Sequence, residues 1–451
     1  MSWTEQDLNV FSRSLEDPPA HAGQKLALLD ASDAAEVVRR LPRHIRHVAL
    51  LALPAGTAAD VLEEPPDDVA AAAVMKMDSG PAAAMVRQMR SDEEADLLQD
   101  IGSSHAEAIL CKLAPEEAAA ARSLTVYEDA TAGDMMQTEF IAIAQGMAAG
   151  DVAGQLRGRA ADYADYPSPY LYVVDRDSKL LGITSLRSLV LCHADTPVAT
   201  VASTRVVSAA TDLPGIDLLR LFRRLHFLAV PVVDENNHLL GVVTQDDALW
   251  FAQEEGDEEM LRFAGIAGGD EFRDMPLRQR ASQRLSWLSV NVLLNVAAAS
   301  VIACYQETLQ EVIALAVLVP ITADMSGCSG NQAVAVSIRE LSLDRIRPTN
   351  FLWVFRKELT VGFVNGLVLG CLVALAAWLW KGNAILGAVV GGALWVNTLV
   401  AVAVGGLVPL GLRRLGKDPA IASSLILTTL PHMCGFLIVL GAASQCTDLL
   451  T

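Results

Sequence analysis

At the centre of the most apolar part of this chain lies the run Pro320-Ile-Thr-Ala-Asp-Met-Ser-Gly-Cys-Ser-Gly-Asn-Gln-Ala333. Between Glu311 and Arg339 the only charged residue is Asp324. A helix through this run is therefore long and apolar enough to cross a hydrocarbon core, which takes about 20 residues. A carboxylate at membrane depth is costly unless it faces a protein interior, a partner or water. The run predicts a membrane helix whose single acid has a function.

The polar neighbours of Asp324 indicate a path for cations. Serines, glycines, Asn331 and Gln332 offer side-chain and main-chain oxygens around one acid, and oxygen is the donor that hard cations prefer. Close helix packing through small residues is the competing explanation for the glycines and serines. With Asp324 and Asn331 included, the pattern favours an ion path.

Four further segments of the C-terminal part are equally poor in charge. We expect an all-α transmembrane bundle of five helices, at 287–306, 311–338, 358–380, 384–411 and 420–446. Lys and Arg cluster in the loops after the second and fourth spans, which assigns these loops to the cytoplasm because basic loops stay inside. The same rule predicts cytoplasmic N-terminal domains and an external C-terminus.

The part before the spans is strongly acidic. The 451-residue chain has a formal net charge of −19, and nine basic and eight acidic residues from 285 onward leave −20 for residues 1–284. Such a surface disfavours nucleic acid as a partner and favours cations or basic proteins. The seven cysteines show no paired spacing of the zinc or redox kind. No nucleophile and base set or phosphate-cradling loop stands out, so an enzyme is not expected.

Residues 25–125 contain a 24-residue repeat. Its copies read Ala-Ala-Glu-Val-Val from 34, Ala-Ala-Asp-Val-Leu from 58, Ala-Ala-Ala-Met-Val from 82 and Ala-Glu-Ala-Ile-Leu from 106. Shorter apolar segments lie between the copies, so each unit is predicted to be two short helices in an all-α superhelical domain. An acidic run within it is expected to be a solvated face, with a metal site as the alternative: Asp92, Glu93, Glu94 and Asp96.

Residues 133–255 carry two copies of a strand, turn and strand. They are Tyr172-Val-Val-Asp-Arg-Asp-Ser-Lys-Leu-Leu-Gly182 and, 59 residues later, Pro231-Val-Val-Asp-Glu-Asn-Asn-His-Leu-Leu-Gly241. Each copy is followed by a helix, which predicts an α/β domain.

The second copy ends in Gly-Val-Val-Thr-Gln-Asp-Asp-Ala-Leu at 241–249 and resembles a CBS module. Such modules pair in tandem and often bind adenine nucleotides. The resemblance implies that Thr244 and Asp247 contact a ribose and that ATP is a possible ligand. The matching positions of the first copy are Ser185 and Ser188, and a purely structural pair is the alternative.

The order of the parts resembles the MgtE family of magnesium transporters and channels. Shorter matches are Tyr127-Glu-Asp-Ala-Thr-Ala-Gly, Glu259-Met-Leu-Arg-Phe-Ala-Gly, Gly330-Asn-Gln, Arg356-Lys-Glu-Leu and Leu412-Arg-Arg-Leu-Gly-Lys-Asp-Pro-Ala. The resemblance implies an N-terminal domain at 1–132, a tandem CBS domain at 133–255, a connecting plug helix at 256–284 and a transmembrane domain at 285–451. It also implies a homodimer in the bacterial inner membrane, with a pore at the interface of the two copies.

Regulation by cytosolic metal also follows from the resemblance. Magnesium bound between acidic faces of the soluble domains and the plug helix would close the pore. The regulatory ligands implied are Asp247, Glu255, Glu258 and Glu259. Two like charges near contact repel by about 1–4 kcal/mol at surface dielectrics, so loss of the metal would separate these faces.

The expected pore differs from that of the family. The fifth span reads Thr428-Thr-Leu-Pro-His432, where the family carries an acid, and Cys328 stands near the Gly-Asn-Gln stretch of the second span. The path residues are then Asp324, Asn331, His432 and Cys328. Imidazole and thiolate suit zinc, cobalt, nickel or iron better than magnesium. We expect a magnesium transporter, with a transporter of softer metals, or a membrane-anchored CBS sensor without ion flux, as alternatives.

Overall fold

The computed structural model of this chain describes residues 26–64, 67–163, 166, 168–269, 271–273, 275–343 and 345–450, with the side chains of 67–68, 421–424 and 428 excepted. The first 25 residues of the predicted N-terminal domain lie outside the described residues. Contacts divide the chain into two units, Met1–Gln253 and Glu254–Thr451.

The first unit begins with paired short helices. In its described residues these are α1 Ala31–Arg40, α2 Arg43–Leu51, α3 Ala55–Leu62, α4 Asp67–Val74, α5 Ser79–Val86, α6 Ser91–Asp100, α7 Ser103–Leu110 and α8 Pro115–Leu124. Odd-numbered helices begin 24 residues apart and pack in one row, and even-numbered helices do the same in a second row. Alanine, valine and leucine side chains fill the space between the rows. The predicted 24-residue repeat is confirmed.

Two small sheets follow in the first unit. The elements are β1 Ile141–Ala144, α9 Ala149–Gly158, β2 Tyr170–Val174, β3 Leu180–Ser185, α10 Leu186–Leu191, α11 Val198–Val201, β4 Ala209–Ala210, α12 Gly215–Leu225, β5 Ala229–Val233 and β6 Leu239–Thr244. In each sheet the first two strands are parallel and the last two are antiparallel. Tyr170 pairs with Ser185 as Ala229 pairs with Thr244, in agreement with the 59-residue repeat. The predicted α/β fold of this region is confirmed.

One helix, α13, runs from Gln245 to Phe263. The predicted plug helix therefore continues the last CBS helix and ends about twenty residues earlier than expected. The helix does not continue beyond this point, because Gly265, Gly268 and Gly269 have φ of +88°, +96° and +83°. These values lie in the left-handed region that favours glycine. Residues 277–284, expected in the plug helix, form the first turns of the next helix after the N-cap Pro276.

The second unit is a bundle of long helices. They are α14 Leu277–Ala303, α15 Gln306–Glu311, α16 Leu315–Ser342, α17 Phe351–Lys381, α18 Ala384–Arg414, α19 Pro419–Ser444 and the short α20 Thr447–Leu450. Helix α18 packs against α16, α17 and α19, and α19 also contacts α14. In length and composition α14, α17, α18 and Leu425–Ser444 of α19 are apolar enough to cross a membrane. Helix α16 is as long but carries Asp324 and its polar neighbours. The five long helices match the five predicted spans.

Helices α17 and α18 cross where two glycines meet. A Cβ on Gly391 would collide with the carbonyl oxygen of Gly370, and a Cβ on Gly370 would lie 2.6 Å from the carbonyl oxygen of Gly391. We expect Gly391→Val to lower the thermal midpoint of the purified chain markedly, since overpacking costs about 1–3 kcal/mol. Gly392→Val is the control, because no atom lies within 4 Å of a Cβ on Gly392. Equal midpoints for the two variants would contradict this crossing.

Candidate ion path and regulatory sites

Three of the predicted path residues share one exposed face of α16. Asp324, Cys328 and Asn331 are exposed and follow one another at spacings of four and three residues, which is one side of a helix. The opposite side of α16, including Ala323, is buried in the bundle. Helix α16 therefore buries one side in the bundle and exposes a polar stripe on the other. This stripe consists of the carboxylate of Asp324, the thiol of Cys328 and the amide of Asn331.

The fourth predicted path residue, His432, approaches the same helix from α19. A Cβ on Gly327 would lie 3.5 Å from Cε1 of His432, an ordinary van der Waals contact, so the imidazole lies beside this position of α16. The ring also makes an edge contact with Phe436, with centroids 6.2 Å apart. The structure thus brings His432 to the segment between Asp324 and Cys328. Within the described ranges, no group of three or more His, Cys, Asp or Glu side chains could hold a metal ion.

The predicted regulatory acids near the end of α13 belong to the second unit, and their partners lie in the same unit. Arg262 donates to Glu255 at 2.9 Å and to Glu258 at 2.8 Å, and its other nitrogen donates to Asp418 at 3.3 Å. Asp418 also caps α19 by accepting from the amide of Ala420 at 2.7 Å. Arg262 therefore joins two candidate metal ligands to the start of a membrane helix.

Glu259 takes a different partner. Its carboxylate accepts a hydrogen bond from the hydroxyl of Ser342, at the end of α16, at 3.2 Å. Burial raises the pKa of Glu259 above its ordinary value. Phe263 packs beside it against an apolar cluster that includes Val334 and Leu427. The last turns of α13 are thus attached to the C-terminal end of α16 and the N-terminal end of α19.

The predicted ribose contacts, Thr244 and Asp247, lie together at the start of α13. One carboxylate oxygen of Asp247 accepts from the hydroxyl of Thr244 at 2.6 Å and from the side-chain amide of Gln137 at 2.9 Å. In the first module Ser185 and Ser188 bond to each other at 2.9 Å in the matching positions. The structure therefore places Thr244 and Asp247 in contact, and the carboxylate of Asp247 is already hydrogen-bonded to other protein groups.

Sequence reasoning missed Arg90, which brings the helical domain to Asp247. Its guanidinium lies 3.6 Å from the second oxygen of Asp247 and donates to Glu93 at 2.8 Å. The same group lies 3.4 Å from Glu63 and 3.9 Å from Asp92. Four carboxylates therefore surround one cation at the contact between α6 and the second CBS module.

The acidic run of α6 is only partly a solvated face, and the expectation is wrong at Asp92. Asp92 is 6% exposed, because the helix turns it toward the CBS module and Arg90. Burial raises the pKa of Asp92 to about 6. Burial, with repulsion from Glu139 and Glu117, raises the pKa of Glu94 to about 7.

The raised pKa of Glu94 predicts that its contribution to folding stability decreases as pH rises. Because its pKa is raised on folding, the folded chain binds more protons between about pH 4.5 and 7, so this contribution to stability falls as pH rises through that range. We expect Glu94→Gln to raise the thermal midpoint at pH 8 by about 2 °C or more and to leave it unchanged at pH 4. Glu116→Gln, at an exposed position of α8, is the control. A Glu94→Gln effect equal at both pH values would contradict this burial.

Family profiles match three parts of the chain. A profile for a divalent cation transporter matches residues 319–442, a profile for the MgtE intracellular N domain matches residues 29–130, and a CBS domain profile matches residues 198–254. The first match covers all four candidate path residues, and the third covers Thr244 and Asp247.

Named proteins and solved structures agree with these profiles. The chain is 36% identical over 332 residues to the magnesium transporter MgtE of Enterococcus faecalis, covering 73% of this chain and 72% of that protein. It is 33% identical over 335 residues to the magnesium transporter MgtE of Bacillus subtilis, covering 74% of each. A crystal structure of the cytosolic domain of the Mg²⁺ channel MgtE in complex with ATP matches 54% of this chain and 98% of that domain, with 30% identity and a TM-score of 0.50.

Proposed function

This chain belongs to the MgtE family of divalent cation transporters, and we propose that it carries Mg²⁺ across the bacterial inner membrane. The observation that carries the proposal is the exposed carboxylate of Asp324 on a helix whose other side is buried, in a chain 36% identical to a named magnesium transporter. A carboxylate on an apolar bundle attracts a cation and is costly when it faces lipid.

The path runs along the exposed stripe of α16. Asp324 attracts the ion, Asn331 offers an amide oxygen about two helical turns further along, and His432 approaches from α19. A hydrated Mg²⁺ ion retains several waters and needs only one or two carboxylates. Oxygen donors on this stripe suit such an ion better than they suit a dehydrated softer metal.

A second copy of the chain completes the path. The stripe holding Asp324, Cys328 and Asn331 is open on one chain, and lipid is a poor neighbour for it. Two copies related by a two-fold axis would face these stripes toward each other and enclose water between them. The same carboxylate thus supports both the proposed homodimer and the proposed transport function.

Cytosolic Mg²⁺ closes the path through the acids at the end of α13. Glu255, Glu258 and Glu259 lie on the turns attached to α16 and α19. A divalent ion bound by these acids would hold the helix in place, and its loss would leave like charges to separate. The N-terminal domains are cytoplasmic in this arrangement.

ATP is the proposed ligand of the CBS pair, with its ribose at Thr244 and Asp247. The related cytosolic domain was crystallised with ATP, which supports this assignment. The ribose hydroxyls would bond the Asp247 carboxylate, where Gln137 and Arg90 now lie. Calorimetric titration with ATP tests it: Asp247→Asn should weaken binding, and equal affinity for the two proteins would refute it.

Uptake into liposomes tests the transport function. Purified chain is reconstituted, and entry of Mg²⁺, Co²⁺ and Zn²⁺ is followed with encapsulated indicators. We expect Mg²⁺ to enter faster than Zn²⁺. Absence of any flux would favour the membrane-anchored sensor, and faster Zn²⁺ entry would favour selectivity for a softer metal through His432 and Cys328.

A further inference from the structure

One amide is fully buried among the membrane helices. Asn397 lies near the middle of α18 and is 0% exposed. Its neighbour Thr398 is equally buried but donates to Leu394 of its own helix at 2.8 Å. The side-chain amide of Asn397 instead forms hydrogen bonds with residues of other helices. Polar side chains buried at membrane depth are usually placed there by function.

Asn397 joins α18 to both helices of the ion path. Its amide nitrogen donates to the hydroxyl of Ser326 in α16 at 2.5 Å and to the carbonyl oxygen of Pro431 in α19 at 3.1 Å. The carbonyl of Pro431 can only accept, so this contact fixes which amide atom is the nitrogen. The hydroxyl of Ser326 in turn donates to the carbonyl of Thr322 at 2.8 Å.

Gly435 makes this junction possible. A Cβ on Gly435 would lie 2.6 Å from the amide nitrogen of Asn397 and 3.7 Å from Cα of Ala323. Any larger residue at this position would collide with the amide of Asn397. The three helices α16, α18 and α19 therefore meet at the side chain of Asn397.

The two bonds of Asn397 end next to the path residues. Ser326 lies two residues after Asp324 and two before Cys328, and Pro431 immediately precedes His432. Ser326 belongs to the buried side of α16. Asn397 therefore bonds to the side of α16 opposite its polar stripe, and the stripe stays exposed.

We propose that Asn397 is a positioning residue of the ion path, which fixes α16 and α19 against each other and so sets the separation of Asp324 and His432. The inference rests on the proposed transport function and adds to it a residue without contact to the ion. Asn397 determines the width of the site and, through it, the choice among divalent cations.

Stability alone does not account for this amide. Among the described residues, the buried Oδ1 of Asn397 has no hydrogen-bond donor. An unpaired buried carbonyl costs more than an interhelical hydrogen bond in a membrane contributes on average. A leucine of similar size would avoid that cost. A purely structural role therefore predicts that Asn397→Leu folds and transports normally.

The test compares Asn397→Leu with Thr398→Val in liposomes. Both remove a buried polar group from the same turn of α18. We expect Asn397→Leu to lower the maximal rate of Mg²⁺ uptake about tenfold, since a misplacement of about 1 Å can cost a hundredfold in a positioned site. The ratio of Mg²⁺ to Co²⁺ uptake should fall as well. Thr398→Val should keep the wild-type rate and ratio.

Ser326→Ala gives a second route if Asn397→Leu does not fold. It breaks one of the two bonds and should change the Mg²⁺ to Co²⁺ ratio in the same direction. The double variant should be no worse than Asn397→Leu, because contacting residues act through one interaction. An unchanged rate and ratio in the folded single variants overturns the inference and leaves the transport function intact. No flux from the wild-type chain overturns both.

Discussion

We expect the replacement of Asp324 with Asn to remove at least about nine-tenths of the Mg²⁺ uptake of the reconstituted chain. A unit charge pair about 4 Å apart is worth about 4 kcal/mol at an effective dielectric constant of 20, and a divalent ion doubles it. Even a quarter of that energy, about 2 kcal/mol, exceeds a tenfold change in occupancy or rate. Initial uptake rates in liposomes, normalised to the amount of folded protein, measure the effect.

Glu311→Gln is the matched control for Asp324→Asn. It removes one carboxylate from the end of α15, just outside the long helices, and should leave uptake close to wild type. Both variants should keep the thermal midpoint, since Asp324 is exposed on one chain. Full Mg²⁺ uptake by folded Asp324→Asn would contradict an ion path on the stripe of α16, whatever the family resemblance implies.

Periodic features of this fold could be predicted from the sequence because each repeat buries the same face again. The 24-residue spacing gave two rows of helices, and the 59-residue spacing gave two sheets of the same register. Stretches with few or no charged residues predicted the long helices of the second unit. The end of the plug helix was missed, although Gly265, Gly268 and Gly269 mark a break in any helical pattern.

Partners of single side chains were harder to predict. Arg262 lies four residues after Glu258, a spacing that favours an ion pair on one helix, so this contact had a signal in the sequence. Arg90 and Asp247 are 157 residues apart, and no local pattern brings them together. Asn397 was missed because the spans were predicted from stretches without charged residues, and a neutral amide in an apolar stretch does not alter that pattern.

Replacing Arg262 with Gln should let Mg²⁺ close the path at about fivefold to tenfold lower concentration. In the structure Arg262 neutralises Glu255 and Glu258, so an arriving metal ion must compete with a tethered cation for the same oxygens. Partly exposed ion pairs contribute about 0.2–1 kcal/mol each, and two of them give a change of this size. The measurement is the Mg²⁺ concentration on the α13 side of the membrane that halves uptake.

Asp418→Asn separates this competition from loss of the attachment to α19. Asparagine can still cap α19 through its side-chain oxygen, but its contact with Arg262 loses the ionic component. This variant frees neither Glu255 nor Glu258, so its half-inhibiting concentration should not fall. The double variant Glu255→Gln, Glu258→Gln should move that concentration upward instead. If Arg262→Gln leaves the concentration unchanged while the double variant raises it, Arg262 serves as an anchor for α19 and does not compete with the metal.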